Sequence, residues 1–106
     1  MNPFNARHSA IREDRGLLLD FINAVYPQSI AERHLVEVML DLPEPVAAEY
    51  VHRDLGYLRD RALIESDLAV HPVTGARCKR WRLTAAGVTF IERDKHRPFF
   101  LYLALN

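Results

Sequence analysis

The sequence predicts a mainly α domain that carries one small β-hairpin. Three observations predict it. Apolar residues recur at three- and four-residue spacing before residue 63, as Ala48, Val51, Leu55, Leu58 and Ala62 do in the last such segment. Two short runs, one ending at Val70-His71 and one starting at Arg77-Cys78, flank the turn-forming Pro72-Val73-Thr74-Gly75. Thr84-Ala85-Ala86-Gly87 then opens another helix with a hydroxyl residue in the capping position.

A chain of 106 residues has room for one core and not for two. Its hydrophobic share of 49% and charged share of 26% are those of an ordinary globular protein. No apolar run approaches the roughly 20 residues needed to cross a bilayer. The start, Met1-Asn2-Pro3-Phe4-Asn5-Ala6-Arg7-His8, lacks the charged-then-apolar layout of a secretory signal. The lone Cys78 excludes an intramolecular disulfide and suits a reducing cytoplasm, the expected location. Formal net charge is zero. Any grip on a polyanion must therefore come from where the cations lie, not from their number.

Residues 1–8 read as a flexible N-terminal arm, with Pro3, two asparagines and no periodicity. Helix 1 is expected from Ser9 to Tyr26, with Ile11, Leu18, Leu19, Ile22 and Val25 as its stripe. Ser9 would cap it, and Pro27 would end it because the residue before proline avoids the α region. Helix 2 is expected from Ser29 to about Leu42, with a Ser29–Glu32 capping box and Leu35, Val38, Met39 and Leu42 inward. Its polar face is net acidic. Helix 3 follows the break at Pro43-Glu44-Pro45 and is expected from Pro45 to Arg61, with Pro45 in the first turn. Ala48, Val51, Leu55, Leu58 and Ala62 would face inward, and Val46, Glu49, Tyr50, Arg53, Tyr57 and Asp60 outward. Asp54 counts among surface charges that nearly cancel along this helix.

On the hairpin, Ile64, Leu68 and Val70 fit inward positions on the first strand, as Trp81 and Leu83 do on the second. Pro72 presets φ and Gly75 supplies a positive φ. From His71 to Arg82 there is no acid, while Arg77, Lys79, Arg80 and Arg82 form the densest basic segment of the chain. Helix 4 is expected from Thr84 to about Asp94 through Val88, Phe90 and Ile91, with Gly87 allowing close backbone packing. The apolar tail over residues 95–106, Phe99 to Leu105 above all, must dock on its own domain or on another subunit. The expected division is thus an arm, one domain over residues 9–94, and a tail. Three bundled helices, a two-stranded wing and a C-terminal helix make a winged helix-turn-helix.

At this point the residues resemble a known family. Val51-His52-Arg53-Asp54-Leu55-Gly56-Tyr57-Leu58-Arg59-Asp60-Arg61-Ala62-Leu63-Ile64 is similar to the recognition helix and following strand of bacterial winged helix-turn-helix transcriptional regulators. Leu83-Thr84-Ala85-Ala86-Gly87 resembles their wing-to-last-helix junction. The likeness covers about residues 9–94, and the layout is most like the small winged-helix proteins of Mu-like phages and prophages. It implies a phage or prophage regulator that binds double-stranded DNA, with helix 3 in the major groove and the wing on the minor groove or backbone. Carried onto this chain, it implicates Tyr50, Arg53 and Tyr57 on the helix and Arg77, Lys79, Arg80 and Arg82 in the wing. The chain departs from the family pattern at Ala62, where such repressors usually have glycine. It departs again in the Pro-Val-Ala-Ala start of helix 3, and in Glu44 and Glu49, which would sit close to the duplex.

Each candidate also has a plainer reading. Arg53 can pair with guanine, or it can form a surface salt bridge with Glu49 at i, i+4 spacing. The wing cations can hold phosphates or stay solvated, and Trp81 reads as core before it reads as a base-stacking residue. His8, His34, His52, His71, His96 and Cys78 are scattered without zinc spacing, so no metal or other cofactor is expected. There is no glycine-rich phosphate loop, nucleophile elbow or His-Glu-x-x-His helix, so no catalytic residue and no enzyme is expected. The expected partners are double-stranded DNA and a second copy, through helix 1, the Phe99–Leu105 tail or both, with no membrane. The rival is a protein–protein interaction module of the same fold in phage assembly or DNA packaging. Neutral charge, an acidic helix 2 and the apolar tail support it.

Overall fold

Leu18, Ile22, Leu35, Met39, Val51, Leu55 and Leu58 are wholly shielded from solvent, and three helices meet on them. Trp81, Ile64 and Leu83 close that core from the side of a small sheet. The structure, a computed structural model, describes residues 3–94. Element order is α1 (Pro3–Ala24), β1 (Ile30–Ala31), α2 (Glu32–Leu40), α3 (Ala48–Asp60), β2 (Ile64–Val70), β3 (Arg77–Leu83) and α4 (Ala85–Asp94). The fold is the expected one: helices with an antiparallel wing.

α1 begins at Pro3, not at Ser9, so residues 3–8 continue a helix and do not form an arm. Proline suits that position, because its φ is already helical and its missing N–H would find no partner in the first turn. At the other end the helix stops at Ala24, before Pro27.

The sheet has three strands, not two, in the order β1-β3-β2. β1 pairs Ile30 with Trp81 and Ala31 with Arg80. A strand of this length shows no alternation, so nothing in its own pattern announces it. The partnership also removes the expected capping box. Ala31 is the N-cap of α2, without a side-chain cap, while Ser29 and Glu32 turn to β3 instead. Ser29 accepts from Arg80 Nε at 2.7 Å through its hydroxyl and from Nη2 at 2.8 Å through its carbonyl. Glu32 accepts the Trp81 indole N–H at 3.0 Å. Leu35 and Met39 are buried as expected, but Val38 is exposed and Leu42 lies beyond the helix end.

α3 starts at Ala48, after an irregular link in which Val46 donates its N–H to Met39 at 3.0 Å. Pro45 is therefore outside the helix, Val46 is buried where an outward position was expected, and Ala48 is exposed. The helix ends in a Schellman motif. Leu63 N–H donates to the Leu58 carbonyl at 3.1 Å and Ala62 N–H to Arg59 at 2.8 Å. Ala62 has a φ of 60° and is exposed, so it does not face the core. The position that is glycine in the resembling repressors is thus a left-handed one, which alanine occupies here at some cost.

β2 and β3 pair from Ile64–Leu83 to Val70–Arg77. Ile64, Trp81 and Leu83 are buried as expected, whereas Leu68 and Val70, 63% and 62% exposed, extend past the body into solvent. The turn carries Gly75 at φ 72°, and His71 Nδ1 accepts from the Val73 and Thr74 N–H groups. Thr84 caps α4 by accepting the Gly87 N–H at 2.9 Å, and its hydroxyl donates to the Ala62 carbonyl at 2.6 Å. A Cβ on Gly87 would stand 2.2 Å from the Leu63 carbonyl oxygen, so the close packing expected there is present. The expected tail over residues 95–106 lies outside the described residues.

Candidate nucleic-acid interface

A helix turns once in about 3.6 residues, so burying Val51, Leu55 and Leu58 sends Glu49, Arg53, Gly56 and Asp60 outward. Tyr50 and Tyr57 then lie on the flank toward α1, and His52 and Arg59 on the flank toward α2. His52 stands 3.6 Å from Glu32 on that second flank, and Arg59 pairs with its neighbour Asp60 at 3.4 Å. Tyr50 is 46% exposed, and the Arg53 guanidinium lies over its ring at 4.9 Å. Tyr57 is half-buried between two arginines. Arg15 of α1 stacks on its ring at 3.6 Å, and Arg61 donates to its hydroxyl at 2.8 Å.

Asp54, counted from the sequence as a surface charge, is fully buried. Its Oδ1 accepts Nε of Arg53 at 3.2 Å and Nε of Arg15 at 3.3 Å. Its Oδ2 has no hydrogen-bond partner among the described residues. Arg53 therefore pairs with Asp54 and stacks on Tyr50, and no ion pair with Glu49 is present among the described residues. Spacing alone could not separate Asp54 from its exposed neighbours. It lies on the flank of α3 that α1 docks against, where Arg15 reaches it.

The hairpin register divides the wing cations. Arg77 and Lys79 share a face with Trp81 and Leu83, while Arg80 and Arg82 point to the other face. Opposite those two stand Asp67 and Glu65 of β2. The acid-free stretch is therefore not an acid-free ribbon. Arg82 pairs with Glu65, through Nε at 3.0 Å and through Nη2, and this contact holds the guanidinium above its ordinary pKa. Arg80 donates to Ser29, as above. Lys79 Nζ sits 5.0 Å from the centre of the Trp81 ring, and exposed Arg77 at the outer end of β3 has no partner among the described residues. Trp81 itself is 2% exposed and belongs to the core.

A shallow hollow of about 220 Å³ lies between Ser29, Glu65, Ser66, Asp67, Arg80 and Arg82. A wider cleft of about 550 Å³ runs between α1 and the link before α3, lined by Glu13, Asp14, Leu17, Leu42, Glu44 and Val46 among others. Burial, and then the charges of Asp54 and Glu13, push the Asp14 carboxyl above its ordinary pKa. No group of three metal-binding side chains converges among the described residues. Cys78 is half-buried. Among the described residues no helix is long and apolar enough to cross a membrane.

No protein-family model matches the chain, and no curated protein does. Solved structures do. A PadR family transcription regulator from hypervirulent Clostridium difficile aligns with TM-score 0.63 at 19% identity, over 84% of this chain and 88% of that one. A Thermoplasma acidophilum protein, described as a candidate transcriptional regulator, aligns with TM-score 0.61 at 16% identity, over 85% and 81%. A PadR family transcriptional regulator from Eggerthella lenta aligns with TM-score 0.61 at 16% identity, over 80% and 73%. At these identities the likeness is one of fold: this chain has the winged-helix architecture of those proteins.

Proposed function

We propose that this chain is a double-stranded DNA-binding transcriptional regulator and not an enzyme, with α3 in the major groove and the wing along the minor groove or backbone. The observation that carries this reading is the pairing of two cationic features on one winged-helix frame. Arg53 is an outward cation of α3, and Arg77 and Lys79 of β3 have no carboxylate partner among the described residues. Within the set Tyr50, Arg53, Tyr57, Arg77, Lys79, Arg80 and Arg82, phosphate contact falls first to Arg77 and Lys79. Arg80 and Arg82 already serve the domain itself. The three regulator structures of the same fold agree with the reading. A cytoplasmic setting and a homodimer complete it, and the phage or prophage setting rests on the sequence resemblance alone.

Binding to labelled duplex DNA between about 50 and 200 mM salt tests it, because displaced counterions give log affinity a negative slope in log salt. Arg77→Glu and Lys79→Glu should each flatten that slope, with about 0.9 lost per phosphate contact removed. No binding at the low-salt end, or a slope near zero, removes the reading. One observation favours the rival: Leu68, Val70 and Val73 form an exposed apolar edge along the wing. Recovery of a stoichiometric protein and no DNA from cells would move the conclusion to a protein-interaction module.

A further inference from the structure

A fully buried carboxylate in a domain of this size calls for a reason. Asp54 is shielded completely, receives two arginine Nε groups and leaves one oxygen without a partner among the described residues. Stability alone does not explain it, since an apolar residue packed in the same place commonly does as well or better. What Asp54 does achieve is to hold Arg53. With Nε donated inward at 3.2 Å and the guanidinium laid over Tyr50 at 4.9 Å, the remaining outward donors of Arg53 are its two Nη groups. Two parallel N–H groups held in place are what the O6 and N7 acceptors of guanine require in the major groove.

The charges point the same way. α3 contains two adjacent arginine–aspartate pairs, Arg53-Asp54 and Arg59-Asp60. In the second, one cation meets one anion on the surface and the pair is neutral. In the first, Arg15 supplies a second cation to the same carboxylate oxygen, so the three groups sum to one positive charge. Arg15 is itself mostly covered and stacked on Tyr57 at 3.6 Å, away from the outward line of α3. Its charge offsets that of Asp54, and the carboxyl of Asp14, beyond this trio, is pushed toward its neutral form by burial first and then by Asp54.

We propose that Arg53 sets the base preference of α3 by pairing with a guanine, and that Asp54 and Arg15 are positioning residues acting through it. This rests on the DNA-binding reading and adds to it the residue that discriminates and the pair that orients it. Duplexes enriched by the wild-type chain from a random pool supply the probe, and the readout is the ratio of affinities for the enriched site and for the site with its guanine replaced. Arg53→Lys should cut that ratio roughly tenfold or more, because an ammonium cannot make the paired contact. Asp54→Asn and Arg15→Gln should each cut it several-fold. Their affinities for unrelated duplex should move in opposite directions, upward on loss of the acid and downward on loss of the base. Tyr50→Ala and Arg53→Lys change exposed side chains and keep the test decisive if the buried variants fail to fold. An unchanged ratio in Arg53→Lys, or in a folded Asp54→Asn whose only change is a lower Tm, overturns the proposal and leaves DNA binding standing. A pool in which nothing is enriched, with no salt-dependent binding, removes both.

Discussion

The base of the hairpin and its outer half are built from one alternating pattern and meet opposite fates. At the base, Ile64, Trp81 and Leu83 enter the core, and Arg80, Trp81 and Arg82 each find a partner, at Ser29 just before β1, Glu32 of α2 and Glu65 of β2. Farther out, Leu68, Val70 and Val73 stand in solvent with Arg77. Alternation tells which side chains share a face. It does not tell where the body beneath that face ends.

The comparison is broken most directly by truncation to alanine in each of its two halves. Trp81→Ala should cost about 3–5 kcal/mol, the range for removing a buried large aromatic. Leu68→Ala, on the same face of the ribbon, should stay within about 0.5 kcal/mol, as exposed substitutions do. Denaturant unfolding of both variants checks this, and a comparable loss in the two would mean that the outer half is covered in solution.

Cations sharpen the same contrast at a smaller scale. Arg80→Ala leaves both polar groups of Ser29 without their donor, in a half-buried place, and should lose about 1–3 kcal/mol. Arg77→Ala should leave Tm near the parent's, since no described residue depends on it, while weakening any duplex binding. If Arg80→Ala proves neutral to folding and Arg77→Ala does not, the division of labour along β3 is wrong.

The legible parts are those that depend on local periodicity and turn chemistry. Leu18, Leu19 and Ile22 of α1, Val51, Leu55 and Leu58 of α3, the wing turn at Gly75, the Thr84 cap and the tight packing at Gly87 are all readable from neighbours in the chain. Features that depend on distant segments are not. β1 exists only because β3 runs beside it, and Ser29 and Glu32 look like a capping pair until Arg80 and Trp81 take their oxygens. Asp54 looks solvated until α1 covers it, and the wing cations look like one cluster until the register sets Glu65 and Asp67 against two of them. Candidate cations can therefore be picked out along the chain, but not their grouping, nor the part of Arg15 and Asp54 beside Arg53. Which cations are free is a property of the pairing, and no single strand carries that information.

The base is also entered through a residue whose sequence and backbone disagree. Ala62 sits at φ 60°, where a Cβ meets the following carbonyl at a cost of roughly 1–2 kcal/mol. Both hydrogen bonds of the Schellman motif depend on that conformation, as does the carbonyl that accepts from Thr84. Glycine would relieve the strain but give the unfolded chain more freedom, which offsets about 0.4–1 kcal/mol of the gain. Ala62→Gly should therefore stabilise the domain by up to about 1.5 kcal/mol, visible as a higher denaturant midpoint at unchanged slope. Exposed Ala76 at the outer end has no such strain to relieve, and Ala76→Gly should gain nothing. A gain at both positions would mean that the hairpin ends share one kind of constraint, and a loss at Ala62 that its side chain has a packing role outweighing the strain.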